Sequence, residues 1–153
     1  MASVPVAIRE FRPDDFETLW RIDQECFPPQ ISYSREELKY YQRRKGSFTL
    51  VAARPEEKIV GFIVAYGGLT GHIITIDVIA AVRREGVGSL LLQAAEERLR
   101  DAGSRAVGLE TAVDNASAIA FYKRHGYSVV NTWPRYYSNG LDALVLTKAL
   151  QAD

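Results

Sequence analysis

Between Val82 and Leu92 an apolar run gives way to an amphipathic one through Arg83-Arg84-Glu85-Gly86-Val87-Gly88, and this junction constrains the fold more than any other segment. Downstream, Val87, Leu91, Ala94, Ala95 and Leu99 recur at helical spacing. The pattern predicts a helix over residues 86–102 that turns Glu96, Glu97, Arg100 and Asp101 to water and ends at Gly103. Upstream, His72 to Ile79 reads as a strand. Gly86 and Gly88 allow a ligand close to the main chain, the first amides of a helix have no intrahelical acceptor, and the helix dipole favours an anion there. Two arginines add full charges. The cradle formed by Arg83, Arg84, Glu85, Gly86, Val87 and Ser89 around Gly88 therefore suits a pyrophosphate. A dinucleotide fingerprint would need a glycine where Leu91 stands, and a Walker loop would need Gly-Lys-Ser/Thr, which is absent.

The rest of the chain supplies elements on both sides of this junction. Val4 to Phe11 reads as a strand; a helix follows from Asp14, with Phe16, Leu19, Trp20, Ile22 and Phe27 at near-helical spacing, and stops at Pro28-Pro29. Ser34 with Glu37 forms a capping-box pattern for a second helix reaching Arg44. Phe48 to Arg54, Ile59 to Tyr66 and His72 to Ile79 predict an antiparallel meander. After the long helix come a strand at Ala106 to Val113, a helix capped by Asn115 that ends before Gly126, and strands at Tyr127 to Trp133 and Leu141 to Leu150. Ser138-Asn139-Gly140 supplies the turn between the last two. The order β-α-α-β-β-β-α-β-α-β-β mixes a meander with crossovers, which predicts an α/β (α+β) domain: a mixed, twisted sheet of about seven strands flanked by about four helices.

At 153 residues, without repeats or a long linker, the expectation is one domain over residues 1–153. Nineteen basic and nineteen acidic residues cancel, so no global field draws the chain to nucleic acid or an anionic membrane. No apolar run reaches the roughly 20 residues of a membrane span, and a cytoplasmic monomer or homodimer is expected. Cys26 is the only cysteine, which excludes an intrachain disulfide and a thiolate metal cluster. No metal is expected, since His72, His125 and Cys26 have no metal-ligand spacing.

The junction resembles the Arg/Gln-x-x-Gly-x-Gly/Ala signature of the GNAT superfamily of acetyltransferases, with Arg83, Gly86 and Gly88 at the patterned positions. Leu109-Glu110-Thr111, Asn115 and the run from Ala118 to Tyr127 resemble that superfamily's second block. More narrowly, Phe27-Pro28 with Tyr33-Ser34, and Tyr136-Tyr137 with Asp142-Ala143, are similar to N-terminal protein acetyltransferases of the ribosomal-protein-alanine type. One departure is Ala80-Ala81, where such enzymes usually carry a proline. The resemblance implies acetyl-CoA as cosubstrate and direct attack of an amine on its thioester. It assigns Glu110 as general base, Tyr122 as the acid or sulfur anchor, and Asn115 as a contact to the coenzyme arm. Main-chain groups of Ile76, Val78 and Ile79 become candidates for pairing with that arm and for the oxyanion donor. Phe27, Pro28, Tyr33, Tyr136 and Tyr137 become candidate walls of the acceptor site.

Other readings of the residues stay open. His72 is an alternative base or acceptor contact. Cys26 as an acyl-carrying nucleophile competes with a buried helix-end cysteine, His125 is expected to meet helix-terminal carbonyls, and Arg43-Arg44-Lys45 to form a solvated face. The acceptor is either a protein or peptide N-terminus or a small amine, and a coenzyme-binding sensor without turnover is a third possibility. Free α-amines have a pKa of about 7.7–8.0 and lysines about 10.4, so neutralising them at pH 7 costs about 1 and 4.6 kcal/mol. A carboxylate base meets the smaller demand more readily, which favours the terminus.

Overall fold

A computed structural model describes residues 5–150. Strands β1 (Ala7–Glu10), β2 (Ser47–Arg54), β3 (Lys58–Tyr66), β4 (Thr70–Val78), β5 (Ala106–Ala112), β6 (Ser128–Trp133) and β7 (Ala143–Ala149) form one sheet in the order β1-β2-β3-β4-β5-β7-β6. Helices α1 (Phe16–Cys26), α2 (Arg35–Arg43), α3 (Val87–Asp101) and α4 (Ala116–Arg124) complete the domain. The expected meander runs antiparallel from β2 to β4, β1 pairs antiparallel with β2, β4 pairs parallel with β5, and β7 inserts antiparallel between β5 and β6. The sheet is mixed, as the element order requires.

Alternation along the strands divides the core between two faces. Val51, Phe62 and Val64 meet Leu19, Ile22 and Leu38 from α1 and α2, while Leu50, Ala52 and Ile63 share the other side with Leu91, Leu92, Ala95 and Leu99 of α3. An isolated helix of 11 residues such as α1 is marginal in water. Burying Leu19 and Ile22 stabilises it by roughly 1.5–3 kcal/mol each. The Ser34–Glu37 capping box forms in both directions, with Glu37 N–H donating to Ser34 Oγ at 3.1 Å and Ser34 N–H to Glu37 Oε1 at 2.8 Å.

Three sequence expectations need correction. The first strand is Ala7–Glu10, shorter than expected, and Val4 lies outside the described residues. The final strand begins at Ala143, because Tyr137 N–H bonds Leu141 O and Gly140 N–H bonds Tyr137 O, holding the preceding residues in a turn. Glu96 points inward and is only 4% exposed. Tyr127 Oη donates to one of its oxygens at 2.7 Å and Lys148 Nζ to the other at 2.9 Å. The polar partners arrive from outside the helix, so the periodicity of α3 alone assigned Glu96 to the wrong face.

Candidate active site

Strands β4 and β5 pair only at Thr70–Ala106, Gly71–Val107 and His72–Gly108. Beyond that rung β4 stays bonded to β3 as far as Val78, and β5 to β7 as far as Ala112. Each strand keeps its outer partner, so the sheet can split between them without unravelling. The split opens into a cleft of about 1170 Å³ bounded by the start of α3, by α4, and by the loops around residues 27–33 and 136–137.

Backbone polarity follows from strand alternation. Ile79 N–H bonds Val60 O across β3, whereas Val78 O accepts from Arg83 Nε and Ile74 O from Tyr33 Oη. On the Val78 side of the irregularity in the β3–β4 register, the even-numbered residues of β4 therefore turn their main-chain groups to the split, and Ile76 is among them. Ile79 is not free to donate there, which corrects its expected role.

At the start of α3 the first intrahelical bond is Leu90 N–H to Gly86 O, leaving the amides of Val87, Gly88 and Ser89 without intrahelical acceptors. Gly86 adopts a left-handed φ of +84° and a Cβ there would meet no atom within 4 Å, so the cradle is open on that side. Gly88 has another role: a Cβ would press on the Phe121 ring at 3.3 Å, so its smallness seats α3 against α4. Glu85 departs from expectation, its N–H bonding Val82 O and its carboxylate bonding Arg54 at 2.7 Å. Arg83 folds back with Nε on Val78 O at 3.1 Å, while Arg84, at φ +73°, stays exposed at the rim. Ser89 Oγ hydrogen-bonds His125 Nε2 at 2.8 Å, so the His125 ring braces the first turn of α3 where helix-end carbonyls were expected. Burial lowers the His125 pKa. Free amides, an open left-handed turn and a flanking arginine fit a pyrophosphate-bearing coenzyme.

Glu110 and His72 meet at the fork. His72 stands on the last paired rung and Glu110 two residues beyond its partner Gly108, on the same face of the sheet. His72 Nε2 donates to Glu110 Oε2 at 2.7 Å, with both side chains largely buried. His72 Nδ1 is buried without a hydrogen-bond partner. The alternative bases of the sequence reading are thus one hydrogen-bonded pair. Glu110 lines the cleft and His72 stands behind it.

Tyr122 lines the opposite wall from α4; burial raises its pKa, so the hydroxyl stays protonated and able to donate. Asn115 caps α4 by accepting Ala118 N–H at 3.2 Å and also faces the cleft. Phe27, Tyr33, Tyr136 and Tyr137 line the mouth, whereas Pro28 does not. Tyr136 and Tyr137 stack edge to face at 5.0 Å. Two features of the mouth escaped the sequence reading. Tyr41 packs edge to face on Tyr33 at 5.3 Å, and Ser138 Oγ donates to Gln30 O at 3.0 Å, tying the two flanking loops together. The Tyr40-Tyr41 doublet was a visible signal for the first; nothing local signals the second.

Cys26 also borders the cleft, but burial raises its thiol to about 11 and its Sγ contacts Val78 O and Arg83. No histidine contacts the sulfur, so an activated nucleophile is not assembled.

Residues 16–127 match the acetyltransferase (GNAT) family. The chain belongs to that family. It is 30% identical over 117 residues to N-alpha-acetyltransferase 30 of Schizosaccharomyces pombe, a match covering 72% of this chain and 77% of that protein. The crystal structure of Ard1 from Thermoplasma volcanium superposes with a TM-score of 0.88 at 30% identity, covering 96% of this chain and 99% of the other. The ribosomal-protein-alanine N-acetyltransferase of Escherichia coli gives a TM-score of 0.86 over 97% of this chain and 96% of its own, and at 19% identity speaks to the fold. The acetyltransferase's family match runs from α1 through α4 and takes in the start of α3.

Proposed function

We propose that the acetyltransferase transfers the acetyl group of acetyl-CoA to the α-amino group of a protein or peptide N-terminus, with Glu110 as the base. The observation that carries this reading is the Glu110–His72 pair, set at the fork between a coenzyme-sized cleft and a tyrosine-lined mouth. The names of the N-alpha-acetyltransferase relatives support the same acceptor.

Acetyl-CoA supplies an activated thioester when bound; the chain supplies position and proton transfer. Val87, Gly88 and Ser89 offer amides to the pyrophosphate, with Arg84 at the rim. Glu110 takes the proton that the neutral amine sheds as it attacks the thioester, directly or through one water, while the His72 N–H holds the carboxylate in place. Ile76 N–H, on the open edge of β4, is the donor offered to the acetyl oxygen. Tyr122, kept protonated by burial, donates to the departing sulfur. Tyr33, Tyr136 and Tyr137 wall the mouth through which an extended terminus would enter.

A peptide with a free N-terminus should be acetylated at least about 100-fold faster at pH 7 than a matched peptide with a blocked terminus and an internal lysine, because the neutral fractions of the two amines already differ by more than that. Its rate should rise about tenfold per pH unit below pH 7 and level near pH 8 as the α-amine becomes neutral. Steady-state kinetics with the two peptides tests both statements. Faster reaction of the blocked lysine peptide would overturn the acceptor assignment.

A further inference from the structure

Behind the acceptor mouth two carboxyl groups meet in the interior. Asp23 of α1 is fully buried and Asp77 of β4 is 1% exposed. Asp23 Oδ2 accepts Tyr33 N–H at 2.7 Å, and Asp77 Oδ1 accepts Thr75 Oγ–H at 2.5 Å. Their remaining oxygens, Asp23 Oδ1 and Asp77 Oδ2, are buried with no hydrogen-bond partner, and the two carboxyls are close enough that the charge of Asp23 raises Asp77. Two ionised carboxylates cannot face each other in an apolar interior without an intervening cation or proton.

Among the described residues no side-chain cation hydrogen-bonds either carboxyl. Arg83, on the loop after β4, acts on Asp77 through its charge but makes no hydrogen bond to it, its Nε bonding Val78 O and one Nη bonding Cys26 Sγ. From α2, Glu37 faces Asp23 and adds negative charge. Cys26 of α1, Tyr33 of the loop and Tyr122 of α4 also feel Asp77, and all three are kept protonated by burial. A proton between the two orphaned oxygens satisfies both at once.

We infer that Asp23 and Asp77 share one proton, and that this acid–carboxylate bond is the clamp holding the Tyr33 segment against β4 and thereby positioning the acceptor wall. The inference rests on the acceptor site proposed above. The clamp acts at one point of a tightly held residue: Tyr33 O also accepts from Trp20 Nε1 at 3.1 Å and Gln24 Nε2 at 2.7 Å. Asp23 and Asp77 are positioning residues, since neither lies among the side chains lining the cleft.

Burial raises both carboxyls, the direction that keeps one proton on the pair, and Asp23 accepts Tyr33 N–H. An acid raised on folding binds its proton more tightly in the folded state. Its contribution to stability is therefore greatest below the ordinary carboxylate range and declines as pH rises toward the folded value. Asn at position 77 supplies a permanent donor to Asp23 and removes that decline.

The test begins on the protein itself. At pH 7 the infrared difference spectrum between the parent and Asp77→Asn should contain the carbonyl stretch of a protonated carboxylic acid from the parent; its absence would overturn the shared proton. Hydrogen exchange of residues 27–34 should accelerate about tenfold or more in Asp77→Ala and stay within about threefold of the parent in Asp77→Asn. The acceptor KM should follow the same order, with acetyl-CoA affinity little changed. Unchanged exchange in Asp77→Ala, or loosening in Asp77→Asn, would overturn the clamp. If Asp77→Ala does not fold, the Asn variant and the infrared band still decide. Exchange that follows this order in a protein acetylating no peptide would count against the acceptor reading and leave the clamp standing.

Discussion

Replacing Glu110 by Gln should lower kcat by roughly 10²–10⁴-fold, the usual contribution of a positioned general base. The amide still accepts the His72 N–H, so the 2.7 Å contact at the fork can persist while the proton acceptor is lost. Acetyl-CoA affinity should stay within about threefold, because Glu110 stands on β5 away from the α3 amides. His72→Ala should cost less, since it frees the carboxylate without removing it. Stopped-flow turnover beside calorimetric binding separates the effects, and a Glu110→Gln enzyme with parental kcat would remove the carboxylate from the chemistry.

The second large effect concerns stability. Lys148→Met deprives the buried Glu96 carboxylate of its cation and leaves only the Tyr127 hydroxyl. Breaking a fully buried pair costs about 3–5 kcal/mol. Lys148 retains 25% exposure, so water already screens part of the interaction and about 2–3 kcal/mol is expected. That corresponds to a fall in Tm of roughly 4–12 °C for a chain of this size. Replacing Glu96 by Leu, Tyr127 by Phe and Lys148 by Met together should restore much of the loss, because no unpaired buried charge remains. Thermal unfolding of the two variants checks the difference; equal losses would show that packing, and not charge pairing, sets the cost.

The contrast between these two sites explains what was legible in the sequence. Glu110 stood out because a strand, a helix cap at Asn115 and an aromatic-rich helix follow one another in a recognisable block. Gly86 was legible because a left-handed turn before a helix leaves a local trace. Glu96 and the Asp23–Asp77 pair were not, because their partners lie 31 and 52 residues away in one case and 54 apart in the other. Helical periodicity describes one element against water and carries no information about which polar group another element brings to it. His72 and Glu110 were each noticed, but as rivals, since only the parallel register of β4 on β5 brings them together. Gly88 was read as giving the coenzyme access to the main chain, and its packing on Phe121 emerged only from the α3–α4 contact.

The proposed reaction is acetyl transfer from acetyl-CoA to a terminal amine at the mouth of the split between β4 and β5. The most direct measurement incubates the enzyme with isotopically labelled acetyl-CoA and a mixture of free-terminus peptides containing lysine, then locates the label by fragment-ion mass spectrometry. The account predicts label on the α-nitrogen of the first residue, and its loss in the Glu110→Gln enzyme. Label on lysine side chains, or undiminished α-nitrogen labelling by that variant, would contradict it.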